Sequence, residues 1–152
     1  MGRVRIGVIN LLGRAYINGS DNPFSCIDSL IEEISDCRIK IVDIHAEATA
    51  EKLAMGFYLD GKATAVVGTH THVQTADEKV LPGGTAYITD LGMTGPELSV
   101  LGVRPEASIS WLKTGLPTRF EISGGACMMC GVIIDVDEKT GKSRSIERIC
   151  VR

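Results

Sequence analysis

Short apolar runs rich in β-branched residues alternate with segments of helical periodicity, and this alternation limits the fold more than any other feature. Residues 4–12, 39–44 and 63–67 have strand length, and residues 85–89 form a fourth run after a Pro-Gly-Gly turn. Strands joined through helices predict an α/β fold with a mixed sheet. Between the first two runs, apolar residues recur at helical spacing at Phe24, Ile27, Leu30, Ile31 and Ile34.

Capping residues mark where the helices begin. Asn22 precedes Pro23, a combination typical of a helix start. Thr49 is predicted to cap a second helix that runs to about Leu59. We expect that helix to face the core with Leu53, Ala54 and Phe57.

The last third of the chain predicts a second sheet packed on the first. Residues 92–102 form an irregular loop in this interpretation, and residues 106–113 form a helix. Antiparallel strands are expected at residues 119–122 and 131–136, with a turn at 137–141 and a last strand at 144–151. All 152 residues are assigned to one domain, residues 1–152.

Composition excludes several classes of function. The net charge of −3 predicts no broad basic surface, and therefore no binding of long nucleic acid. The sequence contains no apolar run near the roughly 20 residues that a membrane span needs, so no membrane partner is expected. Five cysteines without an extracellular spacing indicate a reduced, cytoplasmic protein.

The three histidines all follow predicted buried strands. His45 follows residues 39–44, and His70 and His72 follow the next run. The carboxyl ends of strands are where α/β folds place ligand-binding groups. Alternate residues of an extended segment point the same way, so His70 and His72 are expected to reach one metal ion or two adjacent ones. The alternative is that they are ordinary polar residues at strand ends.

Other polar residues are weaker candidates. Asp43, Glu47 and Asp90 could orient a ligand or line the site, but strand-end and helix-start carboxylates are common without such a role. Cys127 and Cys130 have the spacing of a redox or zinc motif. No second pair exists for a zinc ribbon, and the pair runs into a strand rather than a helix, so we expect incidental cysteines.

Two segments give the sequence a family resemblance. Residues 43–52 read Asp-Ile-His-Ala-Glu-Ala-Thr-Ala-Glu-Lys, and residues 68–77 read Gly-Thr-His-Thr-His-Val-Gln-Thr-Ala-Asp. With residues 10–14, 87–96 and 131–135, they resemble the YmdB-like metallophosphoesterases, named 2′,3′-cyclic-nucleotide 2′-phosphodiesterases. The resemblance covers nearly the whole chain in order, and residues 68–75 are its most specific part.

The resemblance implies a calcineurin-like fold with two β-sheets flanked by helices and a two-metal centre that carries iron, manganese or magnesium. His45 and His70 match ligands to one metal, and His72 matches a ligand to the other. The implied substrate is a small phosphodiester or a cyclic nucleotide, hydrolysed with the help of the metal ions.

The sequence also departs from the family pattern. The family's Gly-Asp motif, its bridging carboxylate and its Asn-His pair, which includes the expected proton donor, have no counterpart here. We therefore expect no catalytic residue in this chain, a partial metal site and little or no activity alone. A homo-oligomer or a partner would supply the missing N-terminal half. The alternative is a non-catalytic metal- or nucleotide-binding regulatory module.

Overall fold

A computed structural model describes residues 4–17 and 19–152, so residues 1–3 and 18 of the predicted single domain lie outside the described residues. The helices and strands follow in chain order as β1 (Ile6–Leu12), α1 (Pro23–Glu33), β2 (Ile39–His45), α2 (Thr49–Tyr58), β3 (Ala65–Thr69), β4 (Lys79–Val80), β5 (Ala86–Ile88), β6 (Thr94–Pro96), α3 (Pro105–Thr114), β7 (Cys127–Val136) and β8 (Ser143–Val151).

The strands form two sheets. The larger sheet has the order β1-β2-β3-β5-β4, in which β4 alone is antiparallel to its neighbour. The smaller sheet is antiparallel in the order β6-β7-β8, and β8 contacts β4 and β5. This confirms the mixed α/β fold with terminal antiparallel strands.

The start of α1 is confirmed. The Asn22 side chain accepts a hydrogen bond from the Phe24 amide at 3.0 Å, and Pro23 is the first helical residue. Ile27 is fully buried in the core that α1 makes with the large sheet. The other apolar residues of the predicted face pack against that core, namely Phe24, Leu30, Ile31 and Ile34.

The predictions for α2 were partly wrong. Ala48 precedes the helix without a side-chain cap, and Thr49 is its first residue. Ala54 and Phe57 are not part of the core cluster, and Phe57 is exposed, although Leu53 does pack against the core. The buried residues are Lys52, Met55 and Gly56. Gly56 brings the helix so close to the large sheet that a methyl group there would lie 2.5 Å from the Tyr87 ring, and this close contact sets which face is buried.

Other predicted boundaries also differ. Gly68 does not end the third run, because β3 continues through it to Thr69 and pairs with β2. A methyl group on Gly68 would overlap the Thr89 carbonyl oxygen, which explains the glycine.

Residues 119–122 form only a single bridge, between Val103 and Ile122. The strand expected from residue 131 begins at Cys127. Strands β4 and β6 were not predicted, since two or three residues carry no periodicity.

The two faces of the large sheet have different surroundings. On one face, Ile9, Val42 and Val66 lie under the helices. On the other face, Val67 and Ile88 are buried near the small sheet, whereas Val8 at the edge is 70% exposed. The part of this second face formed by β1 and β2 is therefore open. No helix among residues 4–17 and 19–152 is long and apolar enough to cross a bilayer.

Candidate metal centre

The open face of the large sheet carries a row of polar side chains at the carboxyl ends of its first three strands. Asn10 pairs in register with Asp43, and His45 pairs with Thr69. Side chains two residues apart on a strand share a face, so Asp43 and His45 lie on the same side. The strand register therefore brings these four side chains together.

Hydrogen bonds connect these side chains, and their chemistry fixes which atom of each bond is the donor. The Asn10 amide donates to one oxygen of Asp43 at 2.7 Å, and the Thr69 hydroxyl donates to the other at 2.9 Å. The hydroxyl has a single proton, so toward His45 Nδ1, at 3.1 Å, it can only accept. This network assigns the proton of His45 to Nδ1 and leaves a lone pair on Nε2. Asp43 thus orients His45 through Thr69.

His70 has the opposite assignment. Its Nε2 lies 2.5 Å from a carboxylate oxygen of Glu47, which can only accept. In the neutral form of the ring, the Nε2 proton points to Glu47 and Nδ1 retains its lone pair. Glu47, for which the helix-start position alone suggested no special role, is the partner that holds this ring.

The two lone pairs face each other. His45 Nε2 lies 3.1 Å from His70 Nδ1, and the rings meet edge to face with centroids 4.9 Å apart. Two unprotonated nitrogens at this distance repel unless a proton or a cation lies between them. Imidazole nitrogens bind metal ions at about 2.0–2.1 Å, so two nitrogens on one ion are separated by about 3 Å. The spacing and the assigned tautomers therefore fit two ligands of one cation.

The extended conformation predicted for the His-x-His segment is wrong. The segment is not extended, because β3 ends at Thr69 and both His70 and His72 have positive φ angles, 117° and 64°. His72 takes no part in the contact between the rings of His45 and His70. It is exposed and lines an open cavity of about 340 Å³ formed with residues 93–96 and 101–103.

The three predicted ligands therefore do not form one cluster. Within residues 4–17 and 19–152, no group of three or more His, Cys, Asp or Glu side chains is arranged to hold a metal ion. Among the predicted ligands, the described contacts join His45 to His70 and do not include His72.

A buried ion pair holds the loop that carries the histidines. Lys52 and Asp90 have fully buried side chains and meet at 3.0 Å. Asp90 also accepts from the backbone amides of Thr71, between the two histidines, and Gly92. Burial alone raises the pKa of Asp90, but these amides and Lys52 outweigh it and hold the pKa below its ordinary value. Asp90 thus restrains a loop with unfavourable backbone angles.

Gln74 connects the same loop to the small sheet, and the sequence did not single it out. Its amide nitrogen lies within 3.3 Å of the carbonyl oxygens of Leu91, Gly131 and Ile149. Lys52 was missed as well, because a lysine on a helix is ordinarily solvent-exposed. A signal for both was available in their position within the two segments that carry the family resemblance.

Glu51, near the start of α2, has a structural role. It accepts from the backbone amides of Arg14 and Ala15, so it closes the loop after β1. Cys127 and Cys130 lie three residues apart on an extended strand, so their side chains point to opposite faces and do not form a motif.

A family model and a curated protein both match nearly the whole of this chain. The model of the family described as YmdB-like protein matches residues 1–149. A Bacillus subtilis (strain 168) protein named 2′,3′-cyclic-nucleotide 2′-phosphodiesterase is 53% identical over 147 residues, which are 96% of this chain and 56% of that protein.

Two solved structures have the same fold as this chain. One is a hypothetical protein from Thermus thermophilus, with a TM-score of 0.88 and 38% identity, covering 94% of this chain and 56% of that one. The other is described as a novel phosphatase from Mycoplasma pneumoniae, with a TM-score of 0.86 and 42% identity, covering 95% and 53%. The chain spans about half the length of the relatives it matches.

Proposed function

Since this chain belongs to the YmdB-like protein family, we propose that it forms part of a metal-dependent phosphodiesterase that hydrolyses small phosphodiesters, 2′,3′-cyclic nucleotides among them. The observation that carries the proposal is the pair of facing imidazole nitrogens of His45 and His70. The names of the relatives, a phosphodiesterase and a phosphatase, support the reaction class.

His45 and His70 hold one divalent ion in this proposal, and His72 contributes to a second ion. Iron, manganese or magnesium would activate water and offset the charge of the phosphoryl oxygens. The histidines act as ligands rather than as bases, because each ligating nitrogen has its only lone pair occupied. Thr69 and Glu47 fix which nitrogen of each ring is free, and ligand orientation of this kind strengthens metal binding.

Residues beyond these 152 complete the centre in this proposal. Two imidazoles are neutral and leave most positions of an ion without a protein ligand, whereas two close cations need a bridging carboxylate to offset their repulsion. The relatives are nearly twice as long as the matched region. The open part of the large sheet, where Val8 is 70% exposed, offers a face for the additional chain. The complete fold would then be the calcineurin-like sandwich.

A chimera tests the proposal. The 147 residues of the Bacillus subtilis protein that match this chain are replaced by the chain itself. We expect the chimera to hydrolyse 2′,3′-cyclic AMP and bis-p-nitrophenyl phosphate with added Mn²⁺, and the chain alone to hydrolyse neither at a comparable rate. His70→Ala in the chimera should lower kcat/KM by more than about 100-fold, because it removes a ligand and not merely its supporting partner.

The matched control is Lys62→Ala, on the helix-facing side and outside the site, which should leave the rate unchanged. A folded chimera that binds nucleotide without hydrolysing it would favour the regulatory binding module instead. Equal rates for the chimera and its His70→Ala variant would contradict the assigned role of the histidine pair.

A further inference from the structure

Cys130 and Cys150 face each other across the two long strands of the small sheet. They are register partners on β7 and β8, and their Sγ atoms lie 3.8 Å apart. The metal centre does not use them. Cys127, the neighbour suggested by the sequence spacing, points to the other face of β7.

The backbone places this pair in the geometry that a disulfide needs. The Cys130 amide donates to the Met93 carbonyl oxygen at 3.1 Å, on the β6 side of its strand. The N–H and C=O of one strand residue point to the same side, so Cys130 and Cys150 form a non-hydrogen-bonded pair. Such pairs have Cα atoms about 4.5 Å apart, within the roughly 4.4–6.8 Å that disulfides span.

We propose that Cys130 and Cys150 are an oxidative modification site, a dithiol that forms an intrachain disulfide when it meets a peroxide. A small rotation about each Cα–Cβ bond brings the two sulfur atoms into bonding distance without a change in strand register. This site is independent of the proposed hydrolysis.

The reaction balances with one peroxide molecule. Cys150 is exposed and attacks a peroxide oxygen as the thiolate, which breaks the O–O bond and leaves a sulfenic acid and water. The Cys130 sulfur, as its thiolate, then attacks the Cys150 sulfur. The S–S bond forms, the S–O bond breaks and a second water leaves. Two thiols are oxidised by two electrons, and the peroxide is reduced to two water molecules.

The order of the two steps follows from the surroundings of the thiols. Burial, and the hydrogen bond that the Cys130 thiol donates to Cys150, raise the pKa of Cys130. Ionisation of Cys130 is thereby disfavoured, and Cys150, which is exposed, is the thiol that meets the oxidant first.

Peptide mapping tests the proposal on the full chain. The protein is treated with one equivalent of hydrogen peroxide, alkylated and digested with trypsin without reduction. We expect residues 120–139 to be joined to residues 149–152 in a product lighter by two hydrogen atoms than the sum of the peptides. Of the five thiols in the sequence, three should remain titratable.

Residues 120–139 contain both Cys127 and Cys130, so two variants identify the bonded cysteine. Cys127→Ser should retain the linked peptide, and Cys130→Ser should lose it, with unchanged far-ultraviolet circular dichroism before oxidation. Loss of the link in Cys127→Ser, a link only between two chains, or stable sulfinic acid on Cys150 without any link would each overturn the proposal. The Cys127→Ser result decides the matter even when Cys130→Ser fails to fold.

Discussion

Thr69 is the residue on which the direction of the histidine network depends. Its hydroxyl proton goes to Asp43, so its oxygen receives the proton of His45 Nδ1. A hydroxyl with only one proton connects an acceptor-only carboxylate to a ring nitrogen in a single orientation. The free nitrogen of His45 is thus set by a residue that does not touch the proposed ion.

Replacing Thr69 by valine tests this dependence. Valine has the same shape without the hydroxyl, so His45 loses the partner that orients it. We expect Thr69→Val to weaken Zn²⁺ binding about 10–100-fold in competition with a fluorescent chelator, the usual effect of losing such a partner. Thr69→Ser retains the hydroxyl and should bind like the wild type. Equal affinity for both variants would show that the network does not orient the ring.

The pH dependence of stability reports on Asp90. Its folded pKa lies below the ordinary value of about 3.9, so it stabilises the fold above that pH and ceases to do so as the pH falls through its folded value. We expect the free energy of unfolding in urea to decrease below about pH 4. In the Asp90→Asn variant, the free energy of unfolding should decrease less over the same pH range, because the contribution of Asp90 is absent.

At neutral pH, Asp90→Asn leaves the Lys52 ammonium buried without its partner, which costs about 3–5 kcal/mol. The double variant Asp90→Asn with Lys52→Met removes the charge as well, and it should recover part of that loss. Lys52→Met alone provides the comparison. If it destabilises the wild type by the same amount as it destabilises Asp90→Asn, the two side chains are not coupled.

These residue-level relations could be predicted from the sequence only in part. The sequence singled out His45, His70 and His72 as residues that follow strands, and the structure ends β2 at His45 and β3 at Thr69. The extended geometry expected for residues 70–72 paired His70 with His72, whereas the family resemblance implied that His45 and His70 share one ion. The contact between His45 and His70 depends on the positive φ angles of both loop histidines, which the extended-segment argument did not include. Positive φ occurs at only a few per cent of non-glycine residues, and the enrichment of histidine among them is too small to assign it from the sequence.

The individual strands and helices were predicted where the pattern was long. The apolar periodicity of α1 and the β-branched run of β2 indicated their positions nearly to the residue. Of the predicted inward face of α2, only Leu53 packs against the core, because the buried face includes a lysine and a glycine, which an apolar pattern does not contain. The short strands β4 and β6 depend on tertiary pairing alone.

Gly56 offers a test of the face assigned to α2. Alanine is a better helix former than glycine by about 1 kcal/mol, so local propensity predicts that Gly56→Ala stabilises. The Tyr87 ring leaves no room for the added methyl group, and we expect destabilisation of about 1–3 kcal/mol in urea unfolding. Phe57→Ala, on the exposed side, should change stability by less. The opposite ranking would contradict this packing of α2.

At the scale of the whole molecule, the exposed edge of the large sheet is the most informative surface. Strand β1 is paired on one side only among the described strands, and its open face presents Ile6, Val8 and Leu12. Unpaired strands with apolar faces promote association. The face is covered by additional chain in the complete enzyme that we propose.

Self-association of the isolated chain should follow from this surface. We expect light scattering to show concentration-dependent association for the wild type and a smaller average mass for Val8→Lys. The control is Phe57→Lys, on the helix side, where the replaced residue is 60% exposed. If Phe57→Lys reduces association and Val8→Lys does not, the open face of β1 is not the contact surface.

The proposed metal site depends above all on the opposite tautomers of His45 and His70, and nitrogen-15 NMR of the imidazole rings measures them. With only three histidines, long-range proton–nitrogen spectra at about pH 8 should resolve each ring. We predict the proton on Nδ1 of His45 and on Nε2 of His70. Added Zn²⁺ should shift His45 Nε2 and His70 Nδ1 together, with one dissociation constant. The same tautomer in both rings, or Zn²⁺ shifts with unrelated dissociation constants, would mean that the two rings do not share one ion.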